Sequence, residues 1–235
     1  MTLEPIGIVR SCFGEKFAVP RQPGLCPSAW GTLVFHPEYR SREAIRGLEG
    51  FSHVWLIFGF HETRDQGWKP TVRPPRLGGN ERVGVFASRS TFRPNGLGLS
   101  VVSLEGIDLT GDAAPVLLLG GIDLLDRTPV YDVKPYLPYA DALPQATAGF
   151  AAEPIERLAV ELAGEAEDAF GALPERARAV VREALSLDAR PATRADDSGR
   201  SFGASLCGCN VRFIVAGGIC RIVSIEAVKG SGLNA

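Results

Sequence analysis

The chain has 235 residues, 45% of them hydrophobic, with a formal net charge of −2, which suits one large domain, or one domain with a small appendage, around a real core. No apolar run reaches the length of a membrane-spanning helix and the first residues lack a signal peptide's apolar stretch, which argues against a membrane or secreted protein. The five cysteines (Cys12, Cys26, Cys207, Cys209, Cys220) are odd in number and lack metal-ligand spacing, and with only His36, His53 and His61 beside them they point to a reduced, cytoplasmic protein without a metal site.

Residues 5–11 read as a first strand, with Ile6 and Ile8. A loop with two prolines follows at 16–25, where Pro23-Gly24 marks a tight turn. Gln22 and the amides around it can grip a ligand, although a plain connection is the simpler reading. Residues 31–37 are a second strand (Leu33, Phe35), and 39–48 a short helix or turn ending at Gly50. The almost continuously apolar run 51–60 reads as a strand buried on both faces, with His53 as a core histidine. His61 and Glu62 emerge at its end, where sites open. Residues 63–80 form a polar loop too rich in proline for a simple hairpin.

Residues 82–100 draw the most attention. Val83, Val85 and Ala87 recur at every second position, as in a strand, whereas Pro94, Asn95, Gly96 and Gly98 turn the chain. Arg89, Arg93, Asn95 and several hydroxyls gather where that strand breaks, the composition of a binding site or of a decorated turn. From Arg64 to Arg93 seven cations face two acids, a local +5, while residues 153–197 carry eleven acids against six bases, −5. A local basic field is the footprint of a phosphate-bearing or nucleic-acid partner.

Strands at 99–107 and 116–119 follow. Gly120 and Gly121 then permit close backbone approach, and Asp123, Asp126, Asp132 and Lys134 alternate with apolar residues. Asp126 suits a turn cap; the cluster Asp132-Val133-Lys134-Pro135-Tyr136 does not. Six or seven strands with almost no strong helix predict a mainly β fold, an antiparallel β-barrel or strongly curved sheet. After an alanine-rich linker at 142–149 the composition shifts. A strand at 157–163 precedes an amphipathic helix at 174–186, with Pro174 at its first position and Ala177, Val180, Val181, Ala184 and Leu185 on one face. A loop at 188–199, a hairpin around Gly217-Gly218 and a frayed tail at 230–235 complete the chain. The expected division is a β-barrel domain over 1–145 and a small α+β C-terminal domain over 146–235. No GxGxxG, P-loop lysine, GxSxG or HExxH is present, so nucleotide hydrolysis, serine hydrolysis and zinc proteolysis find no support.

Five segments in order, Pro20-Arg21-Gln22-Pro23-Gly24, Gly50-Phe51-Ser52-His53-Val54-Trp55, 72–80, 88–95 and Asp132-Val133-Lys134-Pro135-Tyr136, resemble the TrmO (TsaA-like) family, and Asp188-Ala189-Arg190-Pro191 with Asn210-Val211-Arg212-Phe213 resembles its C-terminal part. The resemblance implies a homodimeric tRNA methyltransferase on a single-sheeted β-barrel. It would use S-adenosylmethionine to methylate the N6 amine of threonylcarbamoyladenosine (t6A) next to the anticodon, giving m6t6A. It places the cofactor on Gln22, Pro23, Gly24, His61, Glu62, Arg89, Leu99, Gly120, Gly121, Ile122 and Asp123. The threonyl carboxylate needs a cation, Arg93 or Lys134, and Asp132 or Tyr136 can accept or orient the amine proton. Arg73 and Arg76 in the basic loop, with Asn95, would hold the tRNA anticodon loop, so binding should weaken with salt. Two departures stand out: Gly96-Leu97 replaces the family's usual Pro-Ile after Asn95, and Arg127 replaces a usual glycine. A non-catalytic S-adenosylmethionine- or RNA-binding barrel is the alternative, and an interaction module with a basic loop a third reading.

Overall fold

Alternating apolar positions carry much of the chain into one closed sheet. β1 (Gly7–Ser11), β2 (Trp30–Phe35) and β3 (His53–Gly59) come first. A short ribbon of β4 (Thr71–Val72) and β5 (Val83–Gly84) precedes β6 (Leu97–Asp108), β7 (Val116–Gly120) and β8 (Pro129–Pro135). Six of these close as a barrel in the order β1-β2-β7-β6-β3-β8. β3 pairs antiparallel with β6 on one side and β8 on the other, and β8 returns to β1. The computed structural model describes residues 2–190 and 199–228; the expected tail at 230–235 and residues 191–198 of the expected loop lie outside the described residues.

Every second barrel residue points inward. Val9, Leu33, Phe35, Val54, Leu56, Phe58, Val102, Leu117, Leu119 and Val130 are buried, and a narrow barrel is filled by side chains of this kind. Each contributes roughly 1.5–3 kcal/mol by leaving water. Closure leaves the barrel no open sheet edge.

Three local expectations are corrected. β3 is buried on one face only: Val54, Leu56 and Phe58 point inward, while Trp55 and Ile57 stay half-exposed outside. His53 is exposed at the strand's start, its Nδ1 2.9 Å from Ser52 Oγ. A continuous apolar run satisfies a barrel strand whose outer face is itself partly apolar, so the run does not prove two-sided burial. Residues 82–87 do not extend as a strand; Val83–Gly84 pairs briefly, and Val85–Ala87 winds into a 3₁₀ turn. Around 39–48 the chain takes the turn of the two alternatives, helix or turn, with 3₁₀ turns at either end.

By packing, the chain falls into two units. One holds residues 1–10, 32–119 and 127–154; the other holds 11–31, 120–126 and 155–235. The second unit thus contains two excursions, one between β1 and β2 and one between β7 and β8. Its sheet runs β10 (Ser201–Leu206), β11 (Cys209–Ala216), β12 (Ile219–Ala227), β9 (Ala159–Leu162), with β9 parallel to β12. Gly217 and Gly218 take φ of 57° and 77° at the β11–β12 turn, the left-handed pair that a tight hairpin requires. The short α1 (Pro138–Asp141) lies in the first unit, α2 (Gly164–Gly171) and α3 (Glu175–Ser186) in the second. The five predicted positions of α3 are all buried, and Pro174 is its N-cap residue rather than its first helical one.

Excursion 11–31 is tied to α3. Ser28 donates from its amide and hydroxyl to the two Glu183 carboxylate oxygens (2.9 and 2.8 Å), and Arg176 Nε donates to Ser28 O at 2.9 Å. Phe17 packs against both Phe202 and Phe213, centroids 6.3 and 6.2 Å away, and those two rings stack on each other at 5.8 Å. Excursion 120–126 joins it where Asp126 accepts from the Ser11 amide at 3.0 Å, a bond to a residue far away in sequence and not one to its own turn.

Candidate functional site

The outer face of β8-β3-β6 collects the cluster that the sequence singled out. Asp132 and Lys134 alternate with inward-leaning residues and are both exposed. Cross-strand register sets them in rows: Asp132 beside Ile57 and Leu99, Lys134 beside Trp55 and Val101. Leu99 is 55% exposed, an open apolar side chain in the same row as the Asp132 carboxylate, with Ile57 between them. Tyr136 donates its amide to His53 O at 3.0 Å, and its ring leans on Trp55 and His53 at 6.0 and 6.3 Å between centroids.

Register slips between Ile57 and Phe58, which face Asp132 and Val130. Tyr131 is therefore the extra residue of a bulge, a device that re-aims neighbouring side chains. A Cβ on Gly59 would stand 3.0 Å from the Tyr131 ring and hydroxyl, so glycine makes room for that ring.

Two supporting residues escaped sequence reasoning. Trp55 Nε1 donates to Asp141 Oδ2 at 3.0 Å, and the Leu137 amide donates to the same oxygen at 2.8 Å. Those bonds, the Leu137 amide first, hold the Asp141 carboxyl below its usual range. Asp141 thereby fixes both the indole of Trp55, the cross-strand partner of Lys134, and the chain leaving Tyr136. A tryptophan in a strand and an aspartate in a proline-led turn carry no joint signal in sequence.

The basic segment belongs to the same unit. Arg73 and Arg76 are exposed, and Arg76 Nη1 donates to Glu153 O, so part of its guanidinium braces the chain. Arg93 is half-buried; its Nη1 donates to Ser88 O at 2.7 Å and Val85 O at 3.2 Å. Part of the predicted carboxylate-binding arginine therefore holds the 3₁₀ turn. Arg93, Asn95, Pro94, Leu97 and Phe86 line a concavity of about 320 Å³. Gly96 has φ +59°, which proline cannot adopt, so the departure from the family's usual proline changes the backbone path there.

His61 and Glu62 open the 3₁₀ helix that ends β3, His61 Nε2 lying 3.7 Å from Glu62 Oε1, with the Glu62 side chain 59% exposed. Arg89 is exposed after the Val85–Ala87 turn. With Leu99 these are the predicted cofactor residues of the barrel-bearing unit.

The remaining predicted cofactor residues lie together in the second unit. Gly24 donates its amide to Gly121 O at 2.8 Å, and Gly121 donates to Ala29 O at 2.8 Å. Both glycines are left-handed, φ +75° and +61°, so the crossing needs residues without side chains. Gly120 and Ile122 are buried; Gln22, Pro23 and Asp123 are half-buried beside this crossing in sequence. Arg127, at the other family departure, takes φ +64°, the conformation for which glycine is the usual choice.

Among the described residues no helix is long and apolar enough to cross a membrane. Comparison with known proteins gives a consistent result. The model of the tRNA-methyltransferase O N-terminal domain matches residues 8–142, and that of the TrmO C-terminal domain matches 155–228. The chain is 47% identical to the tRNA (adenine(37)-N6)-methyltransferase of Escherichia coli, covering 95% of this chain and 97% of that protein. It is 48% identical to a Pseudomonas aeruginosa protein described as a putative S-adenosylmethionine-dependent methyltransferase, over 90% and 91%. The crystal structure of TrmO from Pseudomonas aeruginosa superposes with a TM-score of 0.79 at 40% identity, covering 97% of this chain and 98% of that one.

Proposed function

We propose, from the premise that this chain belongs to the tRNA-methyltransferase O (TrmO) family, that its substrate is t6A beside the anticodon and its product m6t6A. The chain is an S-adenosylmethionine-dependent tRNA (adenine(37)-N6)-methyltransferase. The finer substrate rests on one observation: Lys134 stands exposed on the barrel's outer face, in no ion pair among the described residues, with Asp132 on the same face of β8. A substrate that carries both a carboxylate and an amine to be deprotonated matches that cation and anion.

When bound, the donor supplies a methyl group on a sulfonium sulfur, poised for direct displacement. In the barrel-bearing unit Arg89 offers a guanidinium to the donor's carboxylate, Glu62 and His61 face its cationic and polar groups, and Leu99 gives an apolar wall. In the second unit Gly24, Gly120 and Gly121 offer backbone groups to an adenine ring, Gln22, Pro23 and Ile122 flank them, and Asp123 offers a carboxylate to ribose hydroxyls. These residues fit the donor's chemistry: the open Leu99 side chain and the side-chain-free Gly24–Gly121 crossing suit apolar and flat parts, the charged groups its ends. On the substrate, Lys134 holds the threonyl carboxylate with Arg93 as second cation, and Asp132 Oδ or Tyr136 Oη orients or takes the N6 proton. Arg73, Arg76 and Asn95 hold the anticodon loop. Most of the rate then comes from positioning.

The proposed division is a barrel domain over 1–145 and a small α+β domain over 146–235, supported by the separate family matches. The proposed setting is a cytoplasmic homodimer, supported by five buried free cysteines and by exposed Leu109 and Leu118; sedimentation equilibrium tests the dimer.

The test of the substrate uses tRNA from cells with and without the threonylcarbamoyl modification. Nucleoside mass spectrometry should find one added methyl on t6A alone, and equal methylation of unmodified adenosine would overturn the proposal. Arg89→Ala should weaken donor binding about ten- to hundred-fold by calorimetry, the scale of a lost charge-assisted hydrogen bond; an unchanged Kd removes Arg89 from the donor's carboxylate.

A further inference from the structure

We propose that Phe86 is a stacking platform for an unpaired nucleobase, the one flanking the methylated adenosine in the RNA strand. The inference rests on the reading above that the anticodon loop of a tRNA is the substrate.

Phe86 is 75% exposed. Lone exposed apolar side chains are ordinary, so exposure alone carries nothing. Here the backbone beneath the ring is held firmly. Phe86 is the middle residue of the 3₁₀ turn Val85–Ala87, whose first side chain, Val85, is 1% exposed and anchors it. The Val85 carbonyl accepts from the Ser88 amide (3.2 Å), the Ser88 hydroxyl (2.9 Å) and Arg93 Nη1 (3.2 Å). A flat apolar ring is therefore presented to solvent on a pre-organised turn, which lowers the ordering cost of binding.

The surroundings specify the occupant. The concavity beside the ring is walled by Arg93, Pro94, Asn95 and Leu97. The Arg93 guanidinium lies over the ring, 5.9 Å from its centroid, a cation–π neighbour that a base stacked on the opposite face would leave in place. Asn95 offers an amide for a base edge, and the +5 segment supplies attraction for the phosphates on either side. An aromatic face, an arginine, an amide and a basic field together match an unpaired base of a single strand.

Position decides which base. Leu97 and Leu99 share one face of β6 and stand about 7 Å apart along the strand. The concavity at Leu97 is thus displaced along β6 from the row of Leu99, Ile57 and Asp132, where the reacting base is proposed to lie. It takes a neighbour of that base.

The test is equilibrium binding of an anticodon stem-loop RNA, with methyl-transfer kinetics and donor calorimetry alongside. Phe86→Ala should weaken RNA binding and raise KM for tRNA about ten-fold, the scale of one lost base-aromatic stack, with donor Kd unchanged. Phe86→Trp should restore binding. Stem-loops made abasic on one side or the other of the adenosine should show, for one side, a loss in the wild type that Phe86→Ala does not add to. Unchanged RNA affinity in Phe86→Ala, independent losses at both abasic positions, or a loss confined to donor affinity would each overturn the proposal. Failure of the wild type to methylate tRNA would count against the substrate reading, while stem-loop binding still decides the role of Phe86.

Discussion

Lys134→Ala is expected to lower kcat/KM for methyl transfer to tRNA about ten- to hundred-fold, with donor affinity and melting temperature unchanged. The size follows from removing one hydrogen bond to a charged group. Lys134 is exposed on β8, so truncation leaves neither a core cavity nor a buried unpaired partner. Trp55 is its cross-strand partner, and Asp141 holds that indole independently of Lys134, so the barrel wall should survive. Lys134→Arg should recover part of the rate, because charge is kept while a fork replaces a point charge. Loss of donor binding together with methyl transfer would instead give Lys134 a role in folding.

The second large effect is structural. A Cβ on Gly7 would overlap the Val34 carbonyl oxygen and lie 2.9 Å from Phe35 Cα and 3.0 Å from Val34 C. All three are backbone atoms, which cannot swing aside as a side-chain end can. Gly7→Ala should therefore cost about 3 kcal/mol, the upper range for overpacking, and lower Tm by roughly 10 °C for a chain of this size. Gly50→Ala is the control: nothing lies within 4 Å of its Cβ and its φ is not left-handed, so its melting should match the wild type. If Gly7→Ala melts alongside it, the tight approach of β1 to β2 is wrong.

The legible parts of this fold were those whose apolar spacing admits one reading. The α3 face recurs at helical spacing over twelve residues, and all five predicted positions are buried. The β11–β12 hairpin announces itself through Gly217-Gly218, which only left-handed φ uses well. α2 escaped because its eight residues bury only Ala166 and Phe170, too few to show a period. β10, with Ser201, Gly203 and Ser205 at alternate positions, looks like loop until it pairs with β11. At the site, Asp132 and Lys134 were visible because charges alternating along an apolar strand must face outward. Phe86 was not, because Val83, Val85 and Ala87 mimic a strand, in which Phe86 is merely an outward residue, and the 3₁₀ turn that holds its ring in place leaves no mark in the spacing.

The two excursions of the second unit bear on how the protein is made. Residues 11–31 leave the ribosome well before α3 and β10, the elements that hold Ser28 and Phe17. At ordinary elongation rates that delay lasts on the order of ten seconds. For that interval the nascent chain carries Cys12, Phe13, Cys26 and Ala29 uncovered, side chains that end fully or nearly fully buried. Translation must therefore finish before the second unit can form, and a stop codon just after the barrel would leave a product with permanently bare apolar loops.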